Sequence, residues 1–168
     1  MRWMWIDRVL ELVPRERLVA IKHLCASEEH LAAHFAARDG HPPLPVMPGS
    51  LIVEGMAQTA GILVGHAENF REKVLLAKVS RVELELDAVP GDTLRYTAVV
   101  ERMTAAGAST AGTVERIDPR APDAPVPMGR IDLVFSHIDQ NMAGTVFPEG
   151  NFVFGETFRT LLRTSNIN

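Results

Sequence analysis

The chain has 168 residues, 46% of them apolar and 23% charged, ordinary proportions for one globular domain with a sizeable core. Its formal net charge of -4 argues against a broad nucleic-acid surface, which needs a basic excess. One cysteine, Cys25, excludes an internal disulfide and fits a reducing compartment, and it reads as a small buried hydrophobe.

The N-terminal segment carries Asp7, Arg8, Glu11, Arg15, Glu16 and Arg17 and lacks the uninterrupted apolar core of a signal peptide. The one long apolar run, residues 51–64, holds Glu54 and Gln58 and is short for a bilayer crossing. A soluble cytoplasmic protein without a membrane span is expected.

Residues 6–13 and 17–24 are short apolar-rich segments separated at Pro14, and they predict two strands joined by a turn. Ser27 with Glu28 and Glu29 predicts the start of a brief helix reaching about Ala33, followed by His34 and Phe35. Residues 36–48 then form a loop, because Gly40, Pro42, Pro43, Pro45 and Pro48 forbid regular helix or central strand.

From Gly49 the chain turns apolar on every side, through Leu51, Ile52, Val53, Met56, Ala57, Ala60, Ile62, Leu63 and Val64. That is the pattern of a core helix wrapped by other elements, extending to about His66 or Asn69. Pro48 suits the helix entry, Ser50 is the expected cap and His66 the expected partner of the last carbonyls. Gly55, Gly61 and Gly65 are costly in a helix and predict close approach of another backbone. Ser50, Glu54 and Gln58 recur every four residues and share one face. A carboxylate inside such a helix costs several kcal/mol unless paired, hydrogen-bonded or neutral, so Glu54 calls for a function.

Residues 74–86, 93–103, 108–117 and 128–138 predict four more strands. Leu94, Tyr96, Ala98 and Val100 alternate with Arg95, Thr97 and Glu101, and Ile131, Leu133 and Phe135 alternate with Asp132 and Ser136. Pro90-Gly91-Asp92 and Ala105-Ala106-Gly107 mark turns, the second suited to a hairpin, and the prolines of residues 118–127 mark an exposed connection. The class is α+β: an antiparallel sheet of about six strands wrapped around a long central helix. His23 and His137 read as strand residues and His30 as a surface residue. No His and Cys spacing suits a metal, so neither metal nor cofactor is expected. Residues 1–139 form the domain, and 140–168 an extension packed on it or on a neighbouring subunit. Phe147, Phe152, Phe154 and Phe158 lie in that extension, which could alternatively form a lid over a ligand channel.

His34-Phe35, then Val46-Met47-Pro48-Gly49-Ser50-Leu51, then Glu54, Ala57-Gln58 and Ala60-Gly61, resemble the signature of the 3-hydroxyacyl-acyl-carrier-protein dehydratases. Val89-Pro90-Gly91-Asp92-Thr93-Leu94 is similar to that family's proline-glycine-aspartate turn. The resemblance covers residues 3–138 and implies a hotdog fold and a role in fatty acid synthesis. His34 lies 20 positions before Glu54, six more than in the family pattern, and Ala36 stands where the family has proline. Either the loop carries an insertion and His34 is the base, or His41, 13 positions before Glu54, has taken that role. Phe35 and the preceding helix signal favour His34.

What the resemblance implies is a dehydration. A neutral imidazole takes the C2 proton of a 3-hydroxyacyl thioester, and the carboxyl of Glu54, kept protonated by burial, gives a proton to the departing hydroxyl. Backbone N–H groups near Gly49 and Ser50 would serve the enolate oxygen, Gln58 would orient Glu54, and Phe35 would help bind substrate. Glutamate rather than aspartate at position 54 leans against the family's isomerising branch. The implied partners are acyl carrier protein, met by a basic patch at Arg71, Lys73, Lys78 and Arg81, and a second copy of the chain in a homodimer or higher homo-oligomer. In the family the base and the acid come from opposite subunits. The competing readings are a hotdog acyl-thioesterase and a non-catalytic acyl-binding protein.

Overall fold

The computed structural model describes residues 3–33, 35–40, 42–138 and 154–167. His34 and His41, the two candidate bases, lie outside the described residues, as do Phe147 and Phe152.

Two N-terminal strands, β1 (Arg8–Val13) and β2 (Arg17–His23), form a hairpin, and a short helix α1 (Glu29–Ala33) follows. After the proline-rich loop comes the long helix α2 (Gly49–Ala67). Four strands follow: β3 (Val74–Leu84), β4 (Thr93–Thr104), β5 (Gly107–Ile117) and β6 (Val126–His137). A final helix, α3, spans Glu156–Thr164. The strands make one antiparallel sheet in the order β1-β2-β4-β5-β6-β3. The predicted class therefore stands: six strands curl around one helix, and α2 packs against β2, β3, β4, β5 and β6.

Alternation along the strands builds the core. Leu94, Tyr96 and Ala98 of β4 point inward with Ile131, Leu133 and Phe135 of β6, and Ile52, Met56, Ile62, Leu63 and Val64 of α2 meet them. Arg95 and Glu115, opposite each other across β4 and β5, pair on the other face at 2.8 Å. The predicted hairpin turn is present, with Ala105 and Ala106 linking Thr104 to its register partner Gly107.

The glycines of α2 answer to side chains more than to backbones. A Cβ at Gly55 would lie 2.6 Å from the ring and hydroxyl of Tyr96 and 3.0 Å from the Trp5 carbonyl oxygen. At Gly65 it would lie 2.5 Å from Cζ of Phe154. Aromatic rings from distant parts of the chain thus fill the grooves where the sequence suggested a neighbouring backbone. Tyr96 is fully enclosed, and burial pushes its hydroxyl well above the ordinary phenol range.

Helix α2 starts differently from expectation. Pro48 occupies the N-cap with no side-chain cap bond, and Ser50 stands exposed inside the first turn. Pro48 already supplies a fixed φ and a carbonyl that accepts from Leu51 N–H at 2.9 Å, so the helix begins without a hydroxyl cap. At the other end the His66 ring packs edge-on against Phe70 at 5.9 Å, and the carbonyls of Gly65 and His66 accept from backbone N–H groups. Two smaller expectations also change. Cys25 is exposed and pairs with the Ser27 hydroxyl at 3.0 Å, because it sits in the turn after β2. His30 is half-buried, edge-on to Trp5 at 4.9 Å. No described helix is long and apolar enough to cross a membrane.

Strand β3 is an edge of the sheet. It is exposed along nearly its whole length, with Leu75, Leu76, Val79 and Val82 among the exposed apolar side chains. Two register irregularities interrupt its pairing with β6.

Candidate active site

The four-residue repeat on α2 places Ser50, Glu54 and Gln58 on one face, and the N-terminal segment crosses that face. Gln58 is buried, and its amide has three partners. Its Oε1 accepts from Trp5 N–H at 2.8 Å, while its Nε2 donates to the Trp3 carbonyl at 3.0 Å and to Glu54 Oε1 at 3.0 Å. Only the carbonyl oxygen can accept from a backbone N–H, so the amide orientation is fixed and its nitrogen faces the carboxyl. The backbone of Trp3 and Trp5 thus holds Gln58, and Gln58 holds one oxygen of Glu54.

Glu54 and Gln58 line a cleft of about 250 Å³. Ala57 and Gly61 continue its wall along α2, and Leu75, Leu76 and Phe135 face them from β3 and β6. The cleft is apolar apart from Glu54 and Gln58. Glu54 is half-buried, where the sequence predicted full burial, because its side chain opens onto this cleft beside the exposed edge strand. The site can hold an extended apolar chain and present one positioned carboxyl to it.

The other predicted site residues fall as follows. Gly49 and Ser50 are both exposed in the first turn of α2, and Gly49 lines a separate depression with Met47, Leu84 and Glu85. Phe35 is exposed, has a φ of 49° and accepts from Leu44 N–H at 2.9 Å, closing the base of the loop. The predicted basic patch is reduced. Lys73 is buried, and Arg81 pairs with Glu83 at 3.2 Å and with Asp132 at 3.9 Å, since β3 and β6 bring these charges together. Arg71 and Lys78 are exposed. Sequence reasoning missed Trp3 and Trp5 as the backbone support of Gln58. Their bonds come from main-chain groups, which leave no side-chain signal.

A family model described as FabA-like domain matches residues 2–116. The 3-hydroxyacyl-acyl-carrier-protein dehydratase FabZ of Solibacter usitatus is 39% identical over 109 residues, 64% of this chain and 63% of that protein. The chain therefore matches somewhat under two thirds of that relative's length. Among solved structures, the dehydratase heterocomplex ApeI:P from Xenorhabdus doucetiae superposes with a TM-score of 0.57 at 15% identity, covering 84% of this chain and 90% of that one. An acyl-CoA hydrolase mutant from Staphylococcus aureus superposes at 0.55 and 16% identity, covering 90% and 89%. At such identities these two show the hotdog fold alone. The family match runs from the N-terminal segment through α2 into β5, the stretch that supplies five of the six strands and the Glu54 and Gln58 wall of the cleft, and the chain belongs to the FabA-like domain family.

Proposed function

We propose that this chain dehydrates 3-hydroxyacyl thioesters carried on acyl carrier protein to trans-2-enoyl thioesters, in fatty acid synthesis. The observation that carries the reading is the Glu54 carboxyl, held through Oε1 by Gln58 at the side of an otherwise apolar cleft. That bond leaves Oε2 outside the Gln58 contact, as the oxygen to carry the proton.

The reaction needs two proton transfers. The His34 imidazole removes the C2 proton, and the C2–H electron pair becomes the new double bond. The C3–O bond breaks as Glu54 protonates the hydroxyl, which leaves as water. Exposed N–H groups at Gly49 and Ser50, with the positive end of the α2 dipole, stabilise the charge on the thioester oxygen. Phe35 flanks the base and contributes to substrate binding. His41 is the alternative base on the same loop.

The reading includes a second copy of the chain. An eleven-residue edge strand exposing Leu75, Leu76, Val79 and Val82 is a template for pairing. Leu75 and Leu76 also line the Glu54 cleft, so a copy paired along β3 would stand beside the acid and could deliver its own His34 there. Arg71 and Lys78 are the exposed cations left to meet an acidic carrier protein.

The test is product analysis with 3-hydroxyacyl-pantetheine. The enoyl thioester is expected, and His34→Ala and Glu54→Gln should each abolish it. Free acid and thiol would identify a thioesterase instead, and full activity in both variants would end the reading.

A further inference from the structure

The phenylalanines of the C-terminal segment take no part in the chemistry above. Two of them, Phe154 and Phe158, are described, and both line the cleft that holds Glu54. They come from beyond the family-matched residues 2–116.

Their placement is built. Phe154 is 5% exposed and packs edge-on to Phe70 at 4.9 Å and to Phe158 at 5.8 Å. Its ring lies against Gly65, where a Cβ would leave no room for it. Helix α3 carries Phe158 and packs on β1, with Leu161 buried and Ser165 Oγ accepting from Val9 N–H at 3.0 Å. The rings are thus anchored on one side by α2 and on the other by the sheet.

Gly65 follows Glu54 by eleven positions on α2, about 16 Å along the helix axis. Behind the rings is a second, smaller cavity of about 60 Å³, lined by Phe70, Arg159 and Leu162 and again by Phe154 and Phe158. The same two rings therefore border both cavities and stand as a partition between them.

We propose that Phe154 and Phe158 close the far end of the acyl channel and set the longest chain the enzyme accepts. The inference rests on the reading that the cleft takes the acyl chain with its thioester at Glu54. An acyl chain running from the acid toward Gly65 meets a wall of packed aromatic edges. A longer chain must displace rings that Gly65, Phe70 and the docking of α3 hold in place. One methylene too many in such a pocket changes kcat/KM by about 10- to 200-fold.

The experiment uses the full chain and two readouts. The first is kcat/KM for 3-hydroxybutyryl-, 3-hydroxyoctanoyl- and 3-hydroxypalmitoyl-pantetheine. The second is the Kd for the matching saturated acyl-pantetheine amides, which cannot react. The unaltered chain should favour the octanoyl over the palmitoyl compound in both. Phe158→Ala should join the two cavities and raise the palmitoyl-to-octanoyl ratio by about tenfold or more in both readouts. Phe158→Leu serves if the alanine variant does not fold, with circular dichroism as the check. An unchanged ratio in a folded variant overturns the proposal even where dehydration is intact. If no length is dehydrated but the binding ratio shifts as expected, the dehydratase reading falls and the chain-length wall stands.

Discussion

Replacing Gln58 by leucine isolates what the amide does. The leucine fills a similar volume on α2 but offers no donor or acceptor. Trp5 N–H loses its acceptor at 2.8 Å, and Trp5 is 8% exposed, so that donor is stranded away from water. An unsatisfied buried donor costs about 1–3 kcal/mol. The Trp3 carbonyl belongs to a residue that is 57% exposed, so hydration offsets most of its loss. The net destabilisation is about 2 kcal/mol, which for a chain of this length lowers Tm by roughly 4–8 °C. Glu54 would also lose its donor at 3.0 Å and with it a fixed position. Misplacing a catalytic group by about 1 Å costs on the order of 100-fold in rate. Gln58 is a positioning residue on this reading, so kcat should fall while KM stays nearly constant. Thermal melts and steady-state kinetics on the same preparation check both parts. A Gln58→Leu chain with unchanged Tm and unchanged kcat would refute the reasoning, and a fall in Tm alone would leave Gln58 with a structural role only.

Two further predictions rest on packing and charge. Burial disfavours the charged Glu28 carboxyl, but the Lys22 ammonium at 2.7 Å and the Cys25 N–H at 3.1 Å outweigh it, holding Glu28 below its ordinary value. A depressed folded pKa means stability that is present above the unfolded value of about 4.3 and lost as pH falls through the folded one. Glu28→Gln should therefore lower the urea midpoint at neutral pH and flatten its acid-side decline, and a parallel decline in both proteins would contradict this. Gly129 on β6 lies so close to the Glu83 carbonyl of β3 that a Cβ there must push the strands apart. Gly129→Ala should destabilise by about 3 kcal/mol, read from urea unfolding, and a loss under 1 kcal/mol would mean the edge strand yields easily.

Local pattern carried much of the architecture into view. The all-round apolar run of α2 and the strict alternation in β4 and β6 depend on nearest neighbours along one element, so the sequence predicts them directly. The same holds for the shared face of Glu54 and Gln58, which follows from helical spacing, and the bond at 3.0 Å follows from that face. Pro48 and Ser50 show where local rules compete: both fit a helix start, and the backbone settles on Pro48.

By itself, the sequence determined the long helix, the strand pattern and the carboxyl-amide pair, because each is written in periodicities of two to four residues. Tertiary structure decided what no local period contains. It set Tyr96 and Phe154 against the glycines of α2, paired Arg81 with Asp132 across two strands, and placed a carboxylate expected in the core at the side of an open cleft. These contacts join residues far apart in the chain. Their partners are chosen by the sheet order β1-β2-β4-β5-β6-β3 and by the docking of α3 on β1, which only the folded chain brings together.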